Sequence, residues 1–239
     1  MTSAILTWHS LDESGSPISI SPRRFRDQLD ALRQAGVRIV PLSEVLHHND
    51  SVALTFDDGF QNFHKEALPF LVDRKLPATL FVVNQYVGKT NHWPTQPAGV
   101  PELPLLDWSQ IDDARRAGVE IAAHTATHPL LYRLSHLEQV AEIVQAKEHL
   151  EDRLGQSVVS FAYPYGATDA RSRSLVEEHF HFAVTTNFQY TDAASTPLQL
   201  PRIDVRSLGH PVWLSGLFQG VGRTWVGVRR LARVVRSIA

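Results

Sequence analysis

The chain has 239 residues, 43% of them hydrophobic and 20% charged, an ordinary globular composition with enough length to close one large core. A formal net charge of -2 and a pI near 6.6 exclude the basic field with which nucleic-acid binders neutralise phosphates, so nucleic acid is not an expected partner. Cysteine is absent, which excludes disulfides, a thiolate nucleophile and cysteine-ligated zinc, and leaves histidine and carboxylate as the only strong metal ligands.

Met-Thr-Ser-Ala-Ile-Leu at the start lacks a basic region and a long apolar stretch, and no run of about 18 apolar residues follows, so the expectation is a cytoplasmic protein. Short runs rich in Val, Ile and Phe predict strands at about 4–8, 37–40, 52–56, 78–83, 119–123, 158–162 and 181–185. Between the first two, Ser21 can cap a helix with Pro22 at its first position, Phe25, Leu29 and Leu32 on one face, and Gly36 just past its end. The segment 86–107, with four prolines and two glycines, reads as a long loop. A helix at about 109–117 stops at Gly118. Another starts at Ser135, which has capping-box spacing to Glu138, and runs through Leu137, Val140, Ile143, Val144 and Leu150 to Gly155. Strands interleaved with helices predict a mainly parallel sheet, and periodicity leaves an open doubly wound sheet and a closed barrel equally available.

Residues 211–239 contain five arginines and no acid. At helical spacing Val228, Leu231, Val235 and Ile238 share a face opposite Arg229, Arg230, Arg233 and Arg236. Two readings fit: peripheral contact with a membrane surface, or a terminal helix packing its apolar side on the barrel. The chain therefore divides into 1–210, the unit of interleaved strands and helices, and 211–239, a basic amphipathic segment.

Three strand ends carry chemistry. Ala53-Leu54-Thr55-Phe56 ends in Asp57-Asp58-Gly59, and adjacent buried carboxylates call for a compensating positive charge such as a divalent cation, although a solvated Asp-Asp-Gly turn has the same letters. Ile121-Ala122-Ala123 leads into His124-Thr125-Ala126-Thr127-His128, where a helical turn would put both imidazoles on one face. Two histidines and one carboxylate leave a coordination position open for water, as catalytic sites do. Phe161-Ala162 leads into Tyr163-Pro164-Tyr165-Gly166, a rigid turn whose rings offer flat surfaces for a sugar. The first strand ends at Trp8-His9.

In order, TFDDG at 55–59, HTATH at 124–128 and YPYG at 163–166 resemble the first three motifs of the polysaccharide deacetylases, carbohydrate esterase family 4. The resemblance implies a single-domain distorted (β/α)7 barrel that holds one divalent metal ion, zinc first among the candidates, and removes acetyl groups from N-acetylhexosamine units of a glycan. It implies Asp57 as general base, Asp58, His124 and His128 as metal ligands, and the Tyr165 backbone N–H as an oxyanion donor. Where the family's third motif has arginine this sequence has Ala162, and Arg202 is the expected substitute for orienting the base. For the general acid, Leu208-Gly209-His210 matches the letters of the late family motif. The branch acting on poly-N-acetylglucosamine places this histidine near the N-terminus, and His9 is the expected acid because 4–9 is the better strand. Trp108, Tyr163 and Trp93 are candidate sugar-site aromatics. Two other functions stay open: a non-catalytic carbohydrate-binding barrel, and a deacylase of a small or lipid-linked amide.

Overall fold

The computed structural model describes residues 2–210 and 212–238, with side chains through Ala232. Its elements in chain order are β1 (Thr2–Trp8), β2 (Ser10–Leu11), β3 (Ser19–Ile20), α1 (Pro22–Gln34), β4 (Arg38–Ile39), β5 (Ser51–Phe56), α2 (Leu68–Asp73), β6 (Thr79–Val82) and α3 (Trp108–Arg116). There follow β7 (Glu120–Ala123), α4 (His136–Val140), α5 (Ala146–Leu154), β8 (Ser160–Ala162), α6 (Ala170–His179), β9 (Phe182–Val184), β10 (Thr191–Asp192), β11 (Ile203–Asp204), α7 (Val212–Ser215) and α8 (Gly220–Ile238). Each of the seven expected strands is present, β1 and β5 extended at their starts and the others trimmed by one or two residues at their ends.

The main sheet runs β10-β1-β5-β6-β7-β8-β9, with β11 added to β1 and β4 to β5. Every pairing in it is parallel except β1 with β10. The choice left open between sheet and barrel resolves at 200–204: Leu200 bridges Val184 of β9, and Ile203 pairs with Leu6 of β1. This stretch links the two edges, so the sheet curls into a (β/α)7-like barrel of one domain.

Strand alternation then sorts the side chains. One row, Ile5, Ala53, Phe81, Ala122, Ala162, Val184 and Leu200, clusters inside the curl, where three alanines suit the narrow interior. The opposite row, with Leu6, Trp8, Leu54 and Phe56, packs under the helices. There Trp8 stacks on Phe56 at 5.4 Å and meets the edge of Phe25 at 5.8 Å, each such buried side chain contributing roughly 1.5–3 kcal/mol. Two residues beyond the apolar inner row, the same faces carry Thr7, Thr55, His124 and Arg202. The interior thus turns polar at the C-terminal ends of the strands, where barrels of this kind keep their sites.

The predicted caps form. Ser21 accepts from the Arg24 amide, and Gly36 turns left-handed at φ 71° behind α1. Ser135 and Glu138 close a reciprocal capping box. The expected single helix 135–155 is interrupted over Ala141–Gln145 by a wider π-type turn before α5 ends at Gly155. Helices α2 and α6 were not legible as elements, although α6 has its own capping box from Asp169 to Ser172. Loop 86–107 is tied down by bridges from Thr90 to Pro104 and from Phe60 to Leu105.

In the tail, Trp225 stacks on Trp213 at 4.6 Å, Gly222 and Val226 are buried, and Arg229 lies over Trp225. Val228 and Leu231 face solvent rather than the barrel. The roles expected of Arg233, Val235, Arg236 and Ile238 lie outside the described side chains. Among the described residues no helix is long and apolar enough to cross a membrane.

Candidate active site

A cleft at the C-terminal end of the barrel is lined by His9, Asp57, Asp58, His124, His128, Tyr165 and Arg202. Among the described residues, four of the six non-glycine residues with positive φ lie in the loops around it: Asp58 (72°), Thr125 (65°), His128 (60°) and Tyr165 (58°). Left-handed backbone at such residues is costly and is held only where surrounding contacts impose it. Of the four, Asp58, His128 and Tyr165 line the cleft, and Thr125 Oγ1 bonds to the backbone of its own loop.

Those contacts are specific. Segment 124–128 is an irregular loop, not the helical turn that would put both imidazoles on one face, because Thr125 and His128 are left-handed. The His128 amide donates to Thr125 Oγ1 at 3.0 Å. From the π-type turn, the Glu142 carboxylate accepts from the amides of Ala126 at 2.9 Å and Thr127 at 2.8 Å and from the Thr127 hydroxyl at 2.6 Å. Thr95 donates from Oγ1 to the His128 carbonyl at 2.6 Å, and the Tyr165 hydroxyl donates to the Thr95 carbonyl at 2.8 Å. Loop 86–107 is thereby clipped to two motifs, with Trp93 against the His128 imidazole at 4.5 Å. Glu142 and Thr95 were missed in the sequence. A carboxylate in the middle of an amphipathic helix and a threonine in a proline-rich loop carry no local sign of such contacts.

Asp58 Oδ1 lies 3.4 Å from His124 Nε2 and 3.4 Å from His128 Nε2. All three residues are buried, their ligand atoms fall within 4.8 Å of one another, and Asp58 Oδ1 has no hydrogen-bond partner. Two ligand atoms each about 2.0–2.1 Å from a tetrahedral ion sit roughly 3.3 Å apart, so the trio has the spacing of a metal site. His124 Nδ1 donates to the Ala162 carbonyl at 2.7 Å, which fixes the tautomer and aims Nε2 at the trio. Burial lowers the His128 imidazole to about 3, so it is neutral and able to ligate.

Asp57 sits beside the trio. Arg202 Nη1 and Nη2 each donate to it at 2.6 Å, and Arg202 Nη1 also donates to the hydroxyls of Thr7 at 3.1 Å and Thr55 at 3.3 Å. His9 Nε2 lies 3.7 Å from Asp57 Oδ2, with the His9 side chain 29% exposed in the cleft. His210 is elsewhere: exposed beside α1, it accepts the Val212 amide on Nδ1.

Two expected sugar-site aromatics are corrected. Trp108, the first residue of α3, lies outside the cleft against His149 and under Arg153, because the start of that helix faces α5. Tyr163 borders the cleft, but its ring is 1% exposed and packs edge-on to Phe161, leaving no face for a sugar. Burial accordingly pushes its hydroxyl pKa up. Trp93 does line the cleft.

A sequence profile described as polysaccharide deacetylase matches residues 46–181, more than half of the chain. The chain belongs to the polysaccharide deacetylase family. A relative within it, the putative polysaccharide deacetylase YxkH of Bacillus subtilis, is 24% identical over 76% of this chain and 63% of its own length. The poly-beta-1,6-N-acetyl-D-glucosamine N-deacetylase of Staphylococcus epidermidis is 23% identical over 77% of this chain and 67% of its own. The chain thus spans about two thirds of these curated deacetylases. In fold, the Streptococcus pyogenes deacetylase PplD, solved with acetate, superposes with a TM-score of 0.76 at 24% identity, covering 89% of this chain and 96% of that one.

Proposed function

We propose that the chain removes acetyl groups from N-acetylhexosamine units of a glycan, releasing acetate. The observation that carries this is one cleft in which a three-residue metal trio, a carboxylate held ionised by an arginine, and a partly exposed histidine stand side by side. Asp58, His124 and His128 would hold the ion, for which zinc suits the donor set. Such an ion would supply Lewis-acid chemistry, acidifying water and polarising the acetyl carbonyl, which suits a base that Arg202 holds ionised far below neutral.

Asp57 takes the proton of the attacking water, and Arg202 fixes the direction of its two oxygens. The Tyr165 backbone N–H, on its left-handed turn, is the donor for the developing oxyanion, a role worth roughly 2.7–4 kcal/mol in comparable sites. His9 delivers a proton to the departing amine; without it hydroxide would leave in preference and the intermediate would revert. The 3.7 Å approach of His9 to Asp57, against the remote position of His210, supports the branch whose acid lies near the N-terminus. The relative acting on poly-β-1,6-N-acetylglucosamine supports a β-1,6-linked glucosamine polymer as the first substrate to try.

The test is acetate release from β-1,6-linked N-acetylglucosamine oligomers by zinc-loaded protein, with Asp57→Asn and His9→Ala alongside. Release abolished by Asp57→Asn and strongly reduced by His9→Ala is expected. A protein that binds stoichiometric zinc yet releases no acetate from N-acetylated oligomers of any linkage would overturn the reading and leave a binding barrel.

A further inference from the structure

We propose that the outer face of α8 is a docking surface for an anionic lipid bilayer. The helix is seated by one side only. Gly222 is packed so closely that an added Cβ would lie 2.2 Å from the Gly216 carbonyl, Val226 is buried, and Trp225 stacks on Trp213 while donating to the Ser207 carbonyl. The other side carries Val221, Val228 and Leu231, which are 66%, 55% and 68% exposed. At 100° per residue these three fall within an arc of about 80° that points away from the protein body. Exposed large apolar side chains scattered singly need no explanation, but a row along one helix face does.

Charge decides what covers the row. Residues 211–239 hold five arginines and no acid, although the whole chain carries a formal -2. Arg223 and Arg230 stand exposed on the flank of the apolar row. A second copy laid along α8 would bring two all-cationic helices together with no acid in either to offset them, a destabilising arrangement. A bilayer bearing anionic headgroups answers both features: the apolar row enters the acyl boundary and the flanking guanidiniums meet phosphate. The position of the helix permits it. Arg223 reaches Asp50, just before β5, and Arg230 and Val226 line a shallow pocket with Thr2 and Asp192, all at the end of the barrel where the parallel strands begin. The cleft opens at the opposite ends, so a bilayer on α8 leaves the cleft uncovered. The surface stands independently of the reaction proposed above.

The test is co-sedimentation of the full chain with vesicles of phosphatidylcholine alone and of phosphatidylcholine with phosphatidylglycerol. Partitioning into the anionic vesicles only, weakened by salt, is expected, since the attraction is screened within a Debye length. Val228→Asp with Leu231→Asp, and separately Arg230→Glu, should each lower partitioning by roughly tenfold while circular dichroism and the thermal transition stay unchanged, because all three side chains are exposed. No partitioning of the wild type overturns the proposal, as does equal partitioning into both vesicle types. So does light scattering that shows a dimer split by Leu231→Asp, which would make a second copy the occupant.

Discussion

Arg202 grips both oxygens of Asp57, Nη1 to Oδ1 and Nη2 to Oδ2 at 2.6 Å each, with both side chains nearly sealed from solvent at 2% and 3% exposure. The pair is separated by 145 residues of chain, so it also fastens the closing segment 200–204 to the end of β5. Arg202→Ala would leave a buried carboxylate uncompensated and should destabilise by about 3–5 kcal/mol in urea unfolding. The double variant with Asp57→Asn should lose much less than the sum of the singles, because each removes the same interaction. Simple additivity would sink the coupling.

The same pair sets a pH dependence. Burial by itself raises the Asp57 carboxyl, but the Arg202 charge and hydrogen bonds, helped by His9 and His124, outweigh it and hold the group well below the usual carboxylate range. An unfolded chain titrates aspartate near 3.9. The folded value is depressed, so this stability is complete above about pH 4 and is lost as pH falls towards the folded value. Unfolding free energy measured from pH 6 down to 3 should therefore fall less steeply at the acid end in Asp57→Asn than in the wild type.

Removal of the ion is readable without any activity. A ligand that binds only the folded state stabilises by about 2.7 kcal/mol at a hundred times its Kd, so zinc should raise the thermal transition of chelator-treated protein. Asp58→Ala and His124→Ala should abolish the rise. A full zinc shift in Asp58→Ala would remove the trio from consideration.

Glu142 touches none of the reacting groups yet holds the 124–128 loop by three hydrogen bonds. Residues that orient metal ligands in this way typically change affinity 10–100-fold when altered. Glu142→Ala should weaken zinc binding by about that factor, with Glu142→Gln intermediate because the amide oxygen still accepts. Unchanged affinity in Glu142→Ala would show that the loop keeps its shape unaided.

The corrected aromatics separate cleanly in kinetics. Trp93→Ala should raise KM for an oligomeric substrate, since the ring lines the cleft and braces His128, whereas Trp108→Phe should leave kcat and KM as they are. An equal effect of both would return Trp108 to the substrate path.

Much of this protein is written locally. Alternation and capping depend on neighbours within a few residues, so the seven strands and the capped starts at Ser21 and Ser135 could be read from the sequence. The three motifs at strand ends carry Asp58, His124 and His128 in their letters alone, and YPYG ends in a glycine whose position is closed to a side chain. Gly166 sits at φ 69°, and a Cβ there would meet Thr186 Oγ1 at 2.2 Å. Tertiary structure alone decided the rest, because those features depend on residues far apart in the chain. Curling of the sheet, not periodicity, brought Leu200 to β9 and Ile203 to β1 and so chose the barrel. The same closure carried Arg202 onto Asp57, and the left-handed turns at Thr125 and His128 are held by Glu142 and Thr95, far away in the chain, rather than by any preference of their own. Whether an aromatic lines a cleft or fills a core is likewise a matter of which helix packs over it, which is why Trp93 and Trp108 read alike in the sequence and sit in different places in the fold.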